Sequence, residues 1–174
     1  MMKFLFIMLS LLLISGCANQ YPNQNPIGQN FPEISGETLE QQTVQMPRHF
    51  NGDYTVLLVG YKQDSQFDID RWLIGLDMTN TVVDAYELPT IGGMFPRMFE
   101  TVINNGMRAG IPKELWQGVI TVYQDGDTLQ AFTGNQNPRN TRVILLDKNH
   151  RIIYFNDVGF SVAGLNALRA AMGQ

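Results

Sequence analysis

The sequence predicts a single α/β domain in which a mixed β-sheet is flanked by helices, and three observations carry that prediction. Tyr54 to Tyr61 is an uninterrupted apolar and β-branched run, the pattern of a strand covered on both faces. The first two helical periodicities fall between the strand patterns that begin near Tyr54, Asn80 and Gly118, supplying the crossovers that parallel pairing requires. Two apolar segments joined by Asp147-Lys148-Asn149-His150 then close the chain with an antiparallel hairpin. A length of 174 residues with 44% hydrophobic content suits one domain with a sizeable core.

In chain order, Met1-Met2-Lys3 is a short positive segment and Phe4 to Ile14 an apolar run of eleven residues broken only by Ser10. This is the pattern of a signal peptide. Eleven helical residues cover about 16 Å, roughly half a bilayer's hydrocarbon thickness, too little for a comfortable span. Ala18 to Asn30 is rich in Asn and Gln, contains two Pro and has no hydrophobic periodicity, so it reads as an uncharged flexible tether. Fully extended, thirteen residues would reach roughly 45 Å.

Ordered packing is expected from Phe31-Pro32. Segments around Ile34 and Thr43 to Met46, joined by Gly36-Glu37, predict an N-terminal hairpin extension. After the Tyr54–Tyr61 strand, Asp64 or Ser65 is placed to cap a helix over Gln66 to Met78, with Phe67, Ile69, Trp72, Leu73 and Leu76 as its apolar stripe. A strand follows over Asn80 to Leu88, ended by Pro89. Pro96 suits the first turn of a helix running to about Met107, with Met98, Phe99, Val102 and Ile103 on its buried side. Strands are expected over Gly118–Tyr123, Thr141–Leu146 and Arg151–Phe155, and a final helix over Ser161–Met172.

Charge and cysteine content narrow the chemistry. Twelve basic against 16 acidic residues give a formal charge of −4, so no global positive field gathers nucleic acid. One cysteine cannot form an intramolecular disulfide, a Cys-x-x-Cys pair or a cysteine-rich zinc site. His49 and His150 lack metal-ligand spacing, and Asp68-x-Asp70 lacks the rest of a calcium loop, so no metal or cofactor is expected. Gly134-Asn135-Gln136-Asn137-Pro138-Arg139 lacks the Lys and Ser/Thr of a phosphate loop.

Leu13-Ile14-Ser15-Gly16-Cys17 resembles a lipobox, the processing signal of bacterial lipoproteins. The resemblance implies cleavage after Gly16 and a diacylglycerol and an N-acyl chain on Cys17, which together anchor a chain stably where one would not. Residues 1–16 are then a lipoprotein signal peptide and 17–30 the lipid-anchored tether of a domain spanning 31–174. Ala18, in place of the Asp common in inner-membrane retention signals, implies the outer membrane, facing the periplasm. Removal of residues 1–16 takes only Lys3 among the charges and leaves 11 basic and 16 acidic residues.

The domain resembles the thioredoxin-like fold, in particular the peroxiredoxin-like branch with its N-terminal hairpin. Asn30-Phe31-Pro32-Glu33-Ile34, Val56-Leu57-Leu58-Val59-Gly60-Tyr61 and the hairpin from Thr141 to Ile153 carry the likeness. Redox members place a nucleophilic cysteine just after the first core strand, where this chain reads Tyr61-Lys62-Gln63-Asp64-Ser65-Gln66-Phe67. An ordinary hydroxyl neither ionises readily nor forms a disulfide, so Ser65 does not replace that thiol. The family's cis-proline position falls at Thr141.

The candidate binding residues are Lys62, Asp64 and Ser65 at the carboxyl end of the first core strand, Met94, Phe95 and Arg97 in the Gly92-Gly93 loop, and Arg139 in the Gly134–Arg139 loop. Helix capping and solvation account for the first group equally well. Two function classes remain open: a non-redox periplasmic binding or envelope assembly accessory with a protein partner, and a non-thiol enzyme such as a hydrolase on the same scaffold.

Overall fold

The computed structural model describes residues 20–93 and 98–174. The expected signal segment, Cys17, Met94, Phe95 and Arg97 lie outside them. Strands β1 (Ile34–Thr38) and β2 (Thr43–Met46) form the N-terminal hairpin, with Ile34 opposite Met46. Its turn falls at residues 39–42, with Gln41 at φ 67°, while Gly36-Glu37 lies inside β1. Gly36 is there for close packing: a Cβ would stand 2.5 Å from the Ile120 side chain.

The remaining elements are β3 (Tyr54–Gly60), α1 (Gln66–Met78), β4 (Asp84–Pro89), α2 (Glu100–Gly110), β5 (Ile120–Thr121), α3 (Gly126–Thr133), β6 (Arg142–Asp147), β7 (Ile152–Asn156) and α4 (Val162–Ala171). Strands pair in the orders β2-β1-β5 and β4-β3-β6-β7. Parallel bridges Glu87–Val119 and Thr90–Val122 join β4 to β5, so all seven strands form one twisted surface. Strands β3, β4 and β5 run parallel, and β6 and β7 return antiparallel as the closing hairpin.

The continuous apolar β3 run resolves into the period-two alternation of a strand buried on both sides. Leu57 and Val59 join Ile34, Phe50, Leu88, Ile120, Leu129 and Ile144 on one face, under the hairpin and α3. Val56 and Leu58 join Ile69, Trp72, Leu76, Val143, Leu165 and Leu168 on the other, under α1 and α4. Ser161 caps α4, its hydroxyl accepting the Gly164 N–H at 3.0 Å.

Several expectations are corrected. Helix α3 (Gly126–Thr133) has no counterpart among the expected elements, which leave the stretch between Tyr123 and Gly134 unassigned. Asp125 and Gly126 open it, and its Leu129 is fully buried. Helix α2 starts at Glu100, which leaves Met98 and Phe99 before it, and these two and Val102 are exposed. The helix docks through polar side chains: Asn104 accepts the Tyr123 hydroxyl at 3.0 Å and Arg108 Nε donates to the Leu39 carbonyl at 2.7 Å. Phe67 and Val162 are likewise exposed. Strand β4 begins at Asp84, since residues 79–81 are used to close the end of α1, with Asn80 at φ 47° and Thr81 N–H donating to the Leu76 carbonyl.

Much of the segment expected to be flexible, Ala18 to Asn30, packs on the domain. Gln24 N–H donates to the Thr133 carbonyl, Asn135 N–H to the Tyr21 carbonyl and Gly28 N–H to the Ile152 carbonyl, and Pro26 is buried. From Tyr21 onward the polar segment is a strap on the domain, its backbone satisfied by the loops it crosses.

Candidate functional site

The parallel strands β3, β4 and β5 end on one edge of the sheet, and the loops leaving that edge carry the residues expected to form a site. Ser65 lies at the end of a 3-10 turn, Gln63–Ser65, that leads into α1. It is buried, and its hydroxyl donates to the Lys62 carbonyl at 2.6 Å. Neither Ser65 nor Asp64 makes a capping hydrogen bond to α1, contrary to the sequence reading. Asp64 instead pairs with Arg139, Nε to Oδ2 at 3.4 Å, across open water. An exposed pair of this kind contributes roughly 0–1 kcal/mol. Lys62, Asp64 and Arg139 thus meet on one open depression of about 670 Å³ between residues 62–64 and the loop 136–140.

Beneath that depression lies a polar framework that sequence reasoning missed. Asp68 is buried in the first turn of α1, and its two oxygens accept the Thr141 N–H at 2.9 Å and the Phe160 N–H at 2.7 Å. Sequence reading placed it in the Asp68-x-Asp70 pair. Its place is fixed by the two loops it ties to the helix. Arg142, the first residue of β6, is fully buried and donates to the carbonyls of Asn137 and Asn140, at 2.5 and 2.8 Å. Its guanidinium lies 5.1 Å over the Tyr61 ring. Burial lowers the Arg142 pKa, while Tyr61 and Asp157 act to raise it. Burial also pushes the Tyr61 hydroxyl well up, against the lowering effect of its hydrogen bond to Thr133 and of Arg142. The signal available in the sequence was a charged residue inside the otherwise apolar run that opens at Thr141.

Asn23 of the strap completes this framework. Its Nδ2 donates to Asp157 Oδ2 at 2.9 Å, while its Oδ1 accepts Gln136 N–H at 3.0 Å and lies 3.4 Å from an Arg142 terminal nitrogen. Asn135 continues the connection, with Oδ1 accepting the Tyr21 N–H at 2.8 Å and Nδ2 donating to Gln130 at 2.6 Å.

His49 and His150 are at the opposite end of the sheet. His150 Nε2 is 3.0 Å from the Phe50 carbonyl, and the His49 ring stacks edge-on against Phe50 and Tyr86, beside the start of β4. The structure therefore does not bring either imidazole to Ser65. Among the described residues no three His, Cys, Asp or Glu side chains gather as metal ligands, and no helix is long and apolar enough to cross a membrane. The loop-edge arrangement offers side-chain amides, one clipped ion pair and a lysine. That is a set able to hold a polar partner through hydrogen bonds.

No protein-family model matches the chain, and no curated protein is significantly similar to it in sequence. Its backbone is similar to that of a thiol peroxidase from Chromobacterium violaceum, with a TM-score of 0.60 and 10% identity over 91% of this chain and 95% of that one. The thioredoxin domain of a thiol-disulfide oxidoreductase from Bacteroides vulgatus gives 0.54 and 16% identity over 84% and 98%. The pneumococcal exposed lipoprotein thioredoxin from Streptococcus pneumoniae gives 0.53 and 9% over 80% and 99%. At these identities the likeness is one of fold: a thioredoxin-like mixed sheet flanked by helices.

Proposed function

We propose that the chain is a lipid-anchored, thioredoxin-like recognition domain of the bacterial envelope that exchanges no disulfides and serves as a binding or assembly accessory. The observation that carries this reading is Ser65: on the edge where a redox member presents a thiol, a hydroxyl is buried and committed to the Lys62 carbonyl. The chain's one cysteine is Cys17. With a diacylglycerol and an N-acyl chain on it, that thiol is no longer a nucleophile. The anchor would concentrate the domain at the periplasmic face of the outer membrane, and no further cofactor is required.

Recognition is assigned to the depression bordered by Lys62, Asp64 and Arg139, with Met94, Phe95 and Arg97, which lie outside the described residues, kept as further candidates from the sequence. A protein partner of the envelope fits the amides, the lysine and the ion pair that line the depression. Crosslinking of the native protein in its membrane tests this reading. A neighbour recovered with the wild type and lost with K62E/R139E or M94S/F95S supports it, while unchanged recovery counts against these surfaces. Thiol-dependent turnover by the purified protein, abolished by C17S, would overturn the non-redox assignment.

A further inference from the structure

Among the described residues Tyr21 is the first that the domain holds by its backbone, through Asn135, and only four peptide units separate it from Cys17. Those four units span at most about 14 Å, whereas a domain of about 150 residues is roughly 38 Å across. Tyr21 docks at the edge where β3, β4 and β5 end. Its partner Asn135 binds Gln130, against which Gly92 packs so closely that a Cβ would stand 2.5 Å from Gln130 Nε2. An anchor on so short a link keeps this edge nearer the lipid than any other part of the domain.

The same edge gathers exposed apolar side chains. Eleven large apolar residues are exposed among the described residues, and five stand on the connections at this edge: Phe67 in the first turn of α1, Met98 and Phe99 before α2, Val158 after β7 and Val162 at the start of α4. Their exposures are 73, 75, 55, 75 and 68%. A singly exposed apolar residue is ordinary, but a ring of them around one edge is the composition of a surface that meets something apolar. Lys62 and Arg139 line the depression at the same edge. The net charge of −4 supplies no general attraction to anionic lipid, so contact depends on the anchor and this rim.

We propose that this edge lies against the bilayer that holds Cys17, with Phe67, Phe99, Val158 and Val162 at headgroup level. The proposal rests on the lipid-anchor reading above and adds an orientation to it: the apolar rim meets the bilayer, so a protein partner of the depression is one that reaches it at the membrane surface.

The test uses the full-length lipidated protein in vesicles of phosphatidylethanolamine and phosphatidylglycerol. With Cys17 acylated, F67C, F99C and V158C each present a unique thiol for a fluorophore, as do V82C and L115C, which precede β4 and β5 at the opposite edge. All five side chains are exposed, so the substitutions leave the core intact. Spin-labelled lipid should quench the three rim positions at least about threefold more than Val82 and Leu115. Equal quenching at all five overturns the orientation. Shielding of the rim in native envelopes without quenching by lipid also overturns it, in favour of a protein occupant. Mass spectrometry separates the two layers: acylated Cys17 with uniform quenching sinks the orientation alone, whereas unmodified Cys17 sinks the anchor reading and the orientation with it.

Discussion

The guanidinium of Arg142 lies 5.1 Å from the centre of the Tyr61 ring and is fully buried, with its hydrogen bonds going to carbonyl and amide oxygens. Among the described residues no carboxylate lies within ion-pair distance of it. A buried cation held by neutral oxygens is stable only while every one of those partners stays in place.

Arg142 is therefore the keystone of the 137–140 loop, and R142A should cost about 2–4 kcal/mol of unfolding free energy. R142K should recover only part of the loss: Nη1 alone reaches both the Asn137 and Asn140 carbonyls, but one ammonium cannot also reach Asn23 Oδ1 and lie flat over the Tyr61 ring. Urea denaturation of the three proteins measures the order. Equal stability of R142K and wild type would show that the planar fork is not what holds the loop.

Asp68 gives a second test of the same framework. Replacing it by Ala leaves the Thr141 and Phe160 N–H groups without their acceptor, at a cost of about 2–3 kcal/mol. D68N keeps one acceptor oxygen but turns an NH2 toward the other donor, so it should be at least as unstable as half of that loss. Amide hydrogen exchange at Thr141 and Phe160 reports the two contacts separately and should accelerate at both in D68A.

How legible the molecule was in its sequence follows from where each signal is written. The β3 run and the closing hairpin are recorded in local periodicity, and the sheet and the covering α1 and α4 appear as that periodicity implies. Helix α3 was hidden because Gly126 is required by contact, its Cβ position lying 2.7 Å from the Ile91 carbonyl, and a glycine demanded by tertiary packing looks like one demanded by a turn. The buried side of α2 was misassigned because its apolar stripe is real but unpartnered, and the helix docks through Asn104 and Arg108. The strap could not be seen because Asn and Gln record no periodicity. Their side chains complete hydrogen bonds to loops more than a hundred residues away.

Glu87 supplies a pH test. Burial raises its pKa above the ordinary value of 4.5, the Gln66 hydrogen bond opposes that shift and Asp70 adds to it. An acid whose pKa rises on folding binds its proton more tightly in the native state, so its contribution to stability falls as pH climbs from the unfolded value through the native one. E87Q removes that titration and should be more stable than wild type at neutral pH. Below about pH 4, where the carboxyl is protonated in both states, the advantage should vanish. Thermal unfolding of both proteins from pH 3 to 8 follows the difference; a gap that stays constant across the range would remove Glu87 as its source.

Gly134 decides whether the strap, and with it the short link to the anchor, is real. Its backbone is at φ 78° and ψ 160°, a region essentially closed to residues with a Cβ. A Cβ there would also run into the Asn23 Cα and the Pro22 carbonyl. G134A cannot keep both its own backbone and the strap in place, and the loss should be about 1–3 kcal/mol. The cheaper relaxation is to release residues 21–24, since the strap's hold on the Thr133–Asn135 backbone is two hydrogen bonds. Limited proteolysis should then cut the segment before Pro26 faster in G134A, whereas N23A, which trims hydrogen bonds without a clash, should show a smaller increase. Releasing residues 21–24 doubles the link from four to about eight peptide units, at most about 28 Å, so G134A should also narrow the difference in lipid quenching between the Phe67 and Val82 positions. A G134A protein that resists proteolysis and keeps that difference would show that the strap does not set the distance between domain and membrane.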